Sequence, residues 1–168
     1  MRSAGRRRLY GMPTITPCLW FDGTAKEAAD HYVSIFPNSR ITGVSHYTDA
    51  DPKKAGNVLT VEFELDGQPF QGLNGGPQYE FTPALSLSID CADQAEVDHY
   101  WTHLSDGGQE LPCGWVTDRF GVPWQVVPRR LPELIAQGGE TAKRVMECMY
   151  TMKKIDVAAI EEAAAVPA

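Results

Sequence analysis

The most chemically pointed stretch of the chain is Cys113-Gly114-Trp115, followed closely by Asp118 and Arg119. A thiol serves as a nucleophile only when a cation or a helix N-terminus lowers its pKa. Arg119 is the sole cation nearby in sequence and no histidine is close along the chain, so Cys113 reads as a packed, inert cysteine. Asp118 can act as a general base if it is desolvated. The better-supported role is a turn aspartate bonding its own backbone ahead of Gly121. His99 and His103 are spaced i, i+4 and can clasp a metal on one helix face, but no strand histidine completes such a site. His31 also falls in a helical stretch, and His46 lies in a strand beside a long loop, where a surface role fits.

Two glutamines close a repeated pattern. Residues 67–71 read GQPFQ and residues 121–125 read GVPWQ, so Gln71 and Gln125 hold matching positions. The elements around them repeat as well. TITPCLWF (14–21) reads as a strand and TAKEAADHYVSIF (24–36) as a helix opened by a Thr24–Glu27 capping box. RITGVSHYT (40–48) and VLTVEFEL (58–65) read as strands. The second alternates, with Val61, Phe63 and Leu65 on one face and Glu62 and Glu64 on the other. Asp66-Gly67 predicts a hairpin into QPFQGLN (68–74), with Pro69 placed at the strand's start or on an edge.

After a linker at 74–83 the order restarts. ALSLSID (84–90) predicts a strand. DQAEVDHYWTHL (93–104) predicts a helix capped by Asp93 and Glu96, with Val97, Tyr100, Trp101 and Leu104 on its inner face. Gly107-Gly108 ends that helix, and a hairpin follows around Asp118–Gly121. Asp30-His31-Tyr32 and Asp98-His99-Tyr100 sit 68 residues apart, whereas the glutamine motifs sit 54 apart. The first unit therefore carries 14 extra residues, most of which its 49–57 loop absorbs. The chain reads as an internal duplication followed by a helical tail. In that tail Ala142, Val145, Met146, Met149 and Met152 form one stripe, read as packing on the tail's own core or on a second subunit.

A chain of 168 residues with 43% hydrophobic content can bury a core without staples. The first twelve residues hold four arginines and no acid, leaving 11 basic against 22 acidic residues, or −11, in the remainder. So acidic a body disfavours nucleic acid as a partner. Residues 1–12 are expected to be a disordered extension. No segment is apolar for long enough to span a bilayer. Cys18, Cys91, Cys113 and Cys148 show no C-x-x-C spacing, and reduced thiols in a cytoplasmic protein are the expectation.

The stretches TPCLWFDGTAKEAADHYVSIFPNSRI, FQGLNGGP, FTPALSLSID, PCGWVTDRFGVPWQVVP and MKKIDVAAIEEAA resemble the PhnB-like branch of the vicinal-oxygen-chelate superfamily. That superfamily holds glyoxalases, extradiol dioxygenases and antibiotic-resistance proteins, and the branch is often labelled demethylubiquinone methyltransferase-like. The resemblance implies an α+β fold: two paired βαβββ modules at 13–76 and 77–128 forming a cupped mixed eight-stranded sheet, with C-terminal helices at 129–168. It also implies a homodimer and a sheet cavity lined by Gln71, Asn74 and Gln125, with Trp20, Phe70, Trp115 and Trp124 near it and Cys113 and Asp118 at its mouth.

Metal-using relatives hold an ion with strand side chains, and those positions fall on Gln71, Gln125, Pro17 or Cys18, and Leu85 or Ser86. Proline and leucine cannot ligate, and Cys18 and Ser86 can only if the strand register is one residue off, so no catalytic metal and no cofactor are expected. The list suits a small neutral or aromatic ligand. The alternatives are a lyase, isomerase or dioxygenase-type enzyme of the same superfamily, metal-dependent through Gln71 and Gln125 or metal-free through Asp118 or Cys113, and a scaffold with a filled cavity. A nucleotide-type methyltransferase is not among them, because LNGGPQYEF is followed by a strand and not a helix. If Cys113 is inert, Cys113→Ser leaves the thermal unfolding midpoint within about 2 °C of the parent, a shift under roughly 0.5 kcal/mol.

Overall fold

The computed structural model describes residues 15–165, so the expected extension at 1–12 lies outside the described residues. The strand-helix-strands order runs twice. The first half is β1 (Cys18–Phe21), α1 (Ala25–Ile35), β2 (Arg40–His46), β3 (Val58–Leu65) and β4 (Gln68–Asn74). The second is β5 (Leu87–Cys91), α2 (Gln94–Ser105), β6 (Gln109–Glu110), β7 (Trp115–Thr117) and β8 (Pro123–Pro128). The eight strands divide into two four-stranded sheets, ordered β1-β4-β3-β2 and β5-β8-β7-β6. Each has one parallel pair, β1 with β4 or β5 with β8, and is otherwise antiparallel. The duplication read from the motifs is thus repeated in the topology.

The strands of the first half show why the register is fixed. Val61, Phe63 and Leu65 of β3 and Phe70 and Gly72 of β4 are buried against α1, and a one-residue slip would expose them all. Pro69 sits second in β4, before the β1 ladder begins at Gln71, so its missing N–H costs no bond. The second helix opens as its sequence predicts. Asp93 accepts from the Glu96 amide at 3.0 Å, and Glu96 accepts from the Ala92 amide at 2.7 Å. Val97, Tyr100, Trp101 and Leu104 are all buried.

The first helix opens differently. Thr24 makes no side-chain cap, and the Ala25 amide instead donates to Asn74 Oδ1 at 2.9 Å. Asn74 Nδ2 then donates to the Val58 carbonyl at 3.0 Å. An amide fixed on both sides by β4 and β3 loses little entropy on capping, and so it displaces the local hydroxyl. A second departure is β5, which starts at Leu87, leaving Ala84, Leu85 and Ser86 in the approach to it.

One hydrophobic core joins the two halves. It takes Leu19, Phe21, Ala28, Ala29 and Phe63 from the first and Val97, Leu104, Val116, Trp124 and Val126 from the second. The Tyr32 ring of α1 lies 6.2 Å from Phe63 and 5.2 Å from Trp124, so α1 packs against the apolar faces of both sheets. At this joint Asp118 is only 3% exposed. Its Oδ2 accepts from Tyr32 OH at 2.7 Å and from Trp124 Nε1 at 2.8 Å. Its Oδ1 accepts from the amides of Phe120 at 2.8 Å and Val122 at 3.0 Å. Burial, and then the neighbouring Asp118 charge, push the Tyr32 phenol well above its ordinary pKa and keep it a donor.

The tail forms α3 (Arg130–Ile135), α4 (Gly139–Tyr150) and α5 (Val157–Ala165). Leu131, Leu134, Val145, Ile155 and Ile160 make its own small core, with Cys148, Met149 and Met152 packed against it. The methionine stripe is therefore largely core. The tail is tied to the second half through main-chain bonds, Cys113 N to the Met152 carbonyl at 2.9 Å and Gly114 N to the Lys153 carbonyl at 2.7 Å. No helix among the described residues is long and apolar enough to cross a membrane.

Three outcomes follow from the joint. Asp118→Ala orphans two buried side-chain donors at about 1–3 kcal/mol each, a loss of roughly 2–6 kcal/mol in urea unfolding. Tyr32→Phe removes one bond to a charged acceptor and loses about 1.5–3 kcal/mol. The third outcome concerns His31, whose ring lies 5.8 Å from Phe120 and whose buried Nε2 has no hydrogen-bond partner among the described residues. Burial, then Arg119, lower its pKa below the ordinary 6.5, against smaller opposing pulls from Asp118, the His103 backbone and Asp106. Above 6.5 both folded and unfolded chains hold this ring neutral. As pH falls below that value the unfolded chain binds the proton first, so stability is lost. A stability profile from pH 7.5 to 5 will therefore fall less steeply in His31→Gln than in the parent.

Candidate functional site

Residues paired across neighbouring strands share a face, so the register defines what each open sheet face presents. On the first sheet Cys18 is opposite Gln71, and Gln71 is opposite Glu62, giving a row of thiol, amide and carboxylate. The next row along the strands is Trp20, Leu73 and Thr60. Ser45 and Thr60 share a hydrogen bond of 2.6 Å, and Arg40 pairs with Glu64 at 3.0 Å. On the second sheet the row is Ser88, Gln125 and Trp115. Gln125 Nε2 donates to Ser86 Oγ at 2.8 Å, which fixes one end of the amide.

The seven residues singled out from sequence thus part company. Gln71 and Trp20 share the open face of the first sheet, and Gln125 and Trp115 that of the second. Asn74 differs from Gln71 by an odd number of residues and points to the helix side, where it caps α1. Asp118 lies in the joint, with both its oxygens committed to four donors. Cys113 lies between β6 and β7 with φ +62°, a left-handed conformation uncommon outside glycine and asparagine. Gly114 follows at φ +82°, and a Cβ there would come within 2.9 Å of the Val126 carbonyl.

Sequence reasoning passed over Glu62. It is exposed and directly beside Gln71, and the alternation of VLTVEFEL had already placed it on that face. A cavity of about 280 Å³ lies over this part of the sheet, lined by Thr16, Thr42, Glu62, Glu64, Pro69 and Gln71 among others of the first half. A cleft of about 310 Å³ runs from Cys18 and Trp20 to Ser86, Leu87 and Pro123. Trp20 is held by its own Nε1, which donates to the Gly76 carbonyl at 2.8 Å. Gly75 lies under its ring, where any Cβ would come within 2.1 Å of it.

The donors on these faces suit a divalent ion poorly. Burial pushes the Cys18 thiol pKa up, which disfavours the thiolate that ligates. Gln71, Gln125 and Ser86 are neutral, and among the described residues no three His, Cys, Asp or Glu side chains converge.

The family model described as 3-demethylubiquinone-9 3-methyltransferase matches residues 13–127. The PhnB protein of Bacillus cereus is 34% identical, with 67% of this chain and 97% of that chain covered and a TM-score of 0.62. A Pseudomonas aeruginosa protein is 22% identical, with 67% and 95% covered and a TM-score of 0.55, a likeness of fold. A glyoxylase/bleomycin resistance protein/dioxygenase domain from Frankia sp. is 13% identical, with 68% and 90% covered and a TM-score of 0.38. No curated protein matches the chain.

Proposed function

This chain belongs to the 3-demethylubiquinone-9 3-methyltransferase family, and on that premise we propose that it binds a small neutral or aromatic molecule on its open sheet faces, without a metal. The observation that carries this reading is the pair of equivalent rows, Cys18–Gln71–Glu62 and Ser88–Gln125–Trp115. In both, a glutamine amide stands at the centre of a solvent-facing sheet position, beside an aromatic or sulfur-bearing side chain. The neutral amide at the centre of each row discriminates a polar ligand by being left unpaired against the wrong one, and Glu62 adds a carboxylate acceptor beside Gln71. Asn74, Asp118 and Cys113 support these faces from behind or from the side.

The proposed assembly is a homodimer. The apolar faces of both sheets share one core, so the open faces turn away from it, and within the chain they meet only at the cleft from Cys18 and Trp20 to Ser86. A second copy supplies the missing wall. The four free cysteines fit a reducing, cytoplasmic setting.

Methyl transfer is not carried over from the family's description. The nucleotide-type site needs a glycine-rich turn from a parallel strand into a helix. Here Gly75 and Gly76 follow β4 and lead through a long connection into β5. A catalytic reading, as a lyase, isomerase or dioxygenase-type enzyme, draws on one observation, the exposed Glu62 carboxylate beside Gln71, placed to take a proton from a ligand held there.

Native mass spectrometry with and without a chelator tests the proposal. A dimer whose mass is indifferent to chelator is expected, and Gln71→Ala with Gln125→Ala will lose any co-purified organic adduct while remaining dimeric. One chelator-sensitive metal per subunit, or an adduct that survives both substitutions, overturns it.

A further inference from the structure

A cleft of about 490 Å³ opens where the end of β1 meets the β7–β8 hairpin, apart from both glutamine rows. Its walls include Trp20, Tyr79, Phe81 and Phe120. Trp20 and Tyr79 meet edge to face, with centroids 5.0 Å apart and planes at 78°, which makes a right-angled aromatic corner. Phe81 is braced against Phe21 at 5.3 Å and 64°. The Trp20 side of the corner is preorganised by its bond to the Gly76 carbonyl and by the bare Gly75 backbone beneath it. A site already held in shape avoids part of the ordering cost of binding.

The charges in the cleft are one-sided. Asp22 and Glu80 line it, and among the described residues neither makes an ion pair. Arg119 lines it too, but its guanidinium is taken up by the Asp106 carboxylate and carbonyl. What remains is aromatic surface with two uncompensated carboxylates. Ring quadrupoles attract a cation to their faces, and a desolvated quaternary ammonium gains most from them because it has no hydrogen bonds to surrender. Anionic ligands meet repulsion from the same two carboxylates, and the acidic body of the protein, net −7 over the whole chain, steers cations toward it.

We propose that this cleft is a binding site for an organic cation of the quaternary ammonium class. It does not depend on the reading of the glutamine rows, with which it shares no residue, although Trp20, Glu80 and Phe81 also line the cleft of about 310 Å³ beside them.

Calorimetric titration of the full chain with choline, and with its neutral carbon isostere 3,3-dimethylbutan-1-ol, tests the assignment. Choline is expected to bind with a dissociation constant of about 1 mM or tighter, and the isostere at least tenfold (~1.4 kcal/mol) more weakly. Tyr79→Ala and the pair Asp22→Asn with Glu80→Gln will each weaken choline at least about fivefold, by cation–π and charge removal. All three positions are exposed, so the melting temperature serves as a check that the fold persists. Gln71→Ala with Gln125→Ala will leave choline binding unchanged, which separates this site from the sheet faces. Equal affinity for the isostere, no saturable choline binding, or indifference to the two neutralised carboxylates overturns the proposal.

Discussion

The carboxylate of Asp118 is the constraint on which the arrangement of the two halves rests. A buried charge without partners costs several kcal/mol, and this one is held by two backbone amides of its own hairpin and by two side chains. Trp124 comes from the same hairpin, but Tyr32 comes from α1 of the other half, 86 residues away. Short bonds to an ionised acceptor are directional as well as strong, so they set an angle where apolar contact alone would allow sliding. Around that point Phe36 stacks on Trp124 at 5.5 Å and on Tyr100 at 4.9 Å, filling the joint. The apolar side of each sheet is thereby spent inside the chain, and the polar side of each is left outward.

The duplicated halves keep the same ladder and have diverged in what it presents. The centre of each row is a glutamine, fixed by the same Gly-x-Pro-aromatic-Gln run, whose aromatic residue goes into the core as Phe70 or Trp124. Around that constant the first sheet offers a thiol and carboxylates, while the second offers hydroxyls and an indole. Two walls of different chemistry allow a ligand to be read in one orientation, which two identical walls would not.

How much of this was legible in the sequence depended on how local the cause was. β3 and β4 follow the alternation of VLTVEFEL and the Asp66-Gly67 turn, and α2 follows its Asp93–Glu96 cap, because strand pleat, turn and cap are set within a few residues. The Thr24 cap fails for the opposite reason: its competitor, Asn74, arrives from 49 residues away. Asp118 shows both cases in one side chain. Its bonds to Phe120 and Val122 are the turn role its sequence suggests, whereas its bond to Tyr32 has no local trace. At the candidate site, repetition marks Gln71 and Gln125 as a pair. Strand parity separates Asn74 from them, on the other face, and places Glu62 beside Gln71, a signal carried by the alternation of VLTVEFEL itself.

The joint that ties the C-terminal helices to the second sheet has a consequence for how the chain can drift. Cys113 and Gly114 bond to the carbonyls of residues 152 and 153, groups that every amino acid carries. The family match ends at residue 127, ahead of these helices. The exposed side chain of Lys153 can therefore change without losing the attachment, whereas Met152 is also held by the tail core it packs against. The letter that has to persist is the glycine at 114, because a methyl group there would run into Val126.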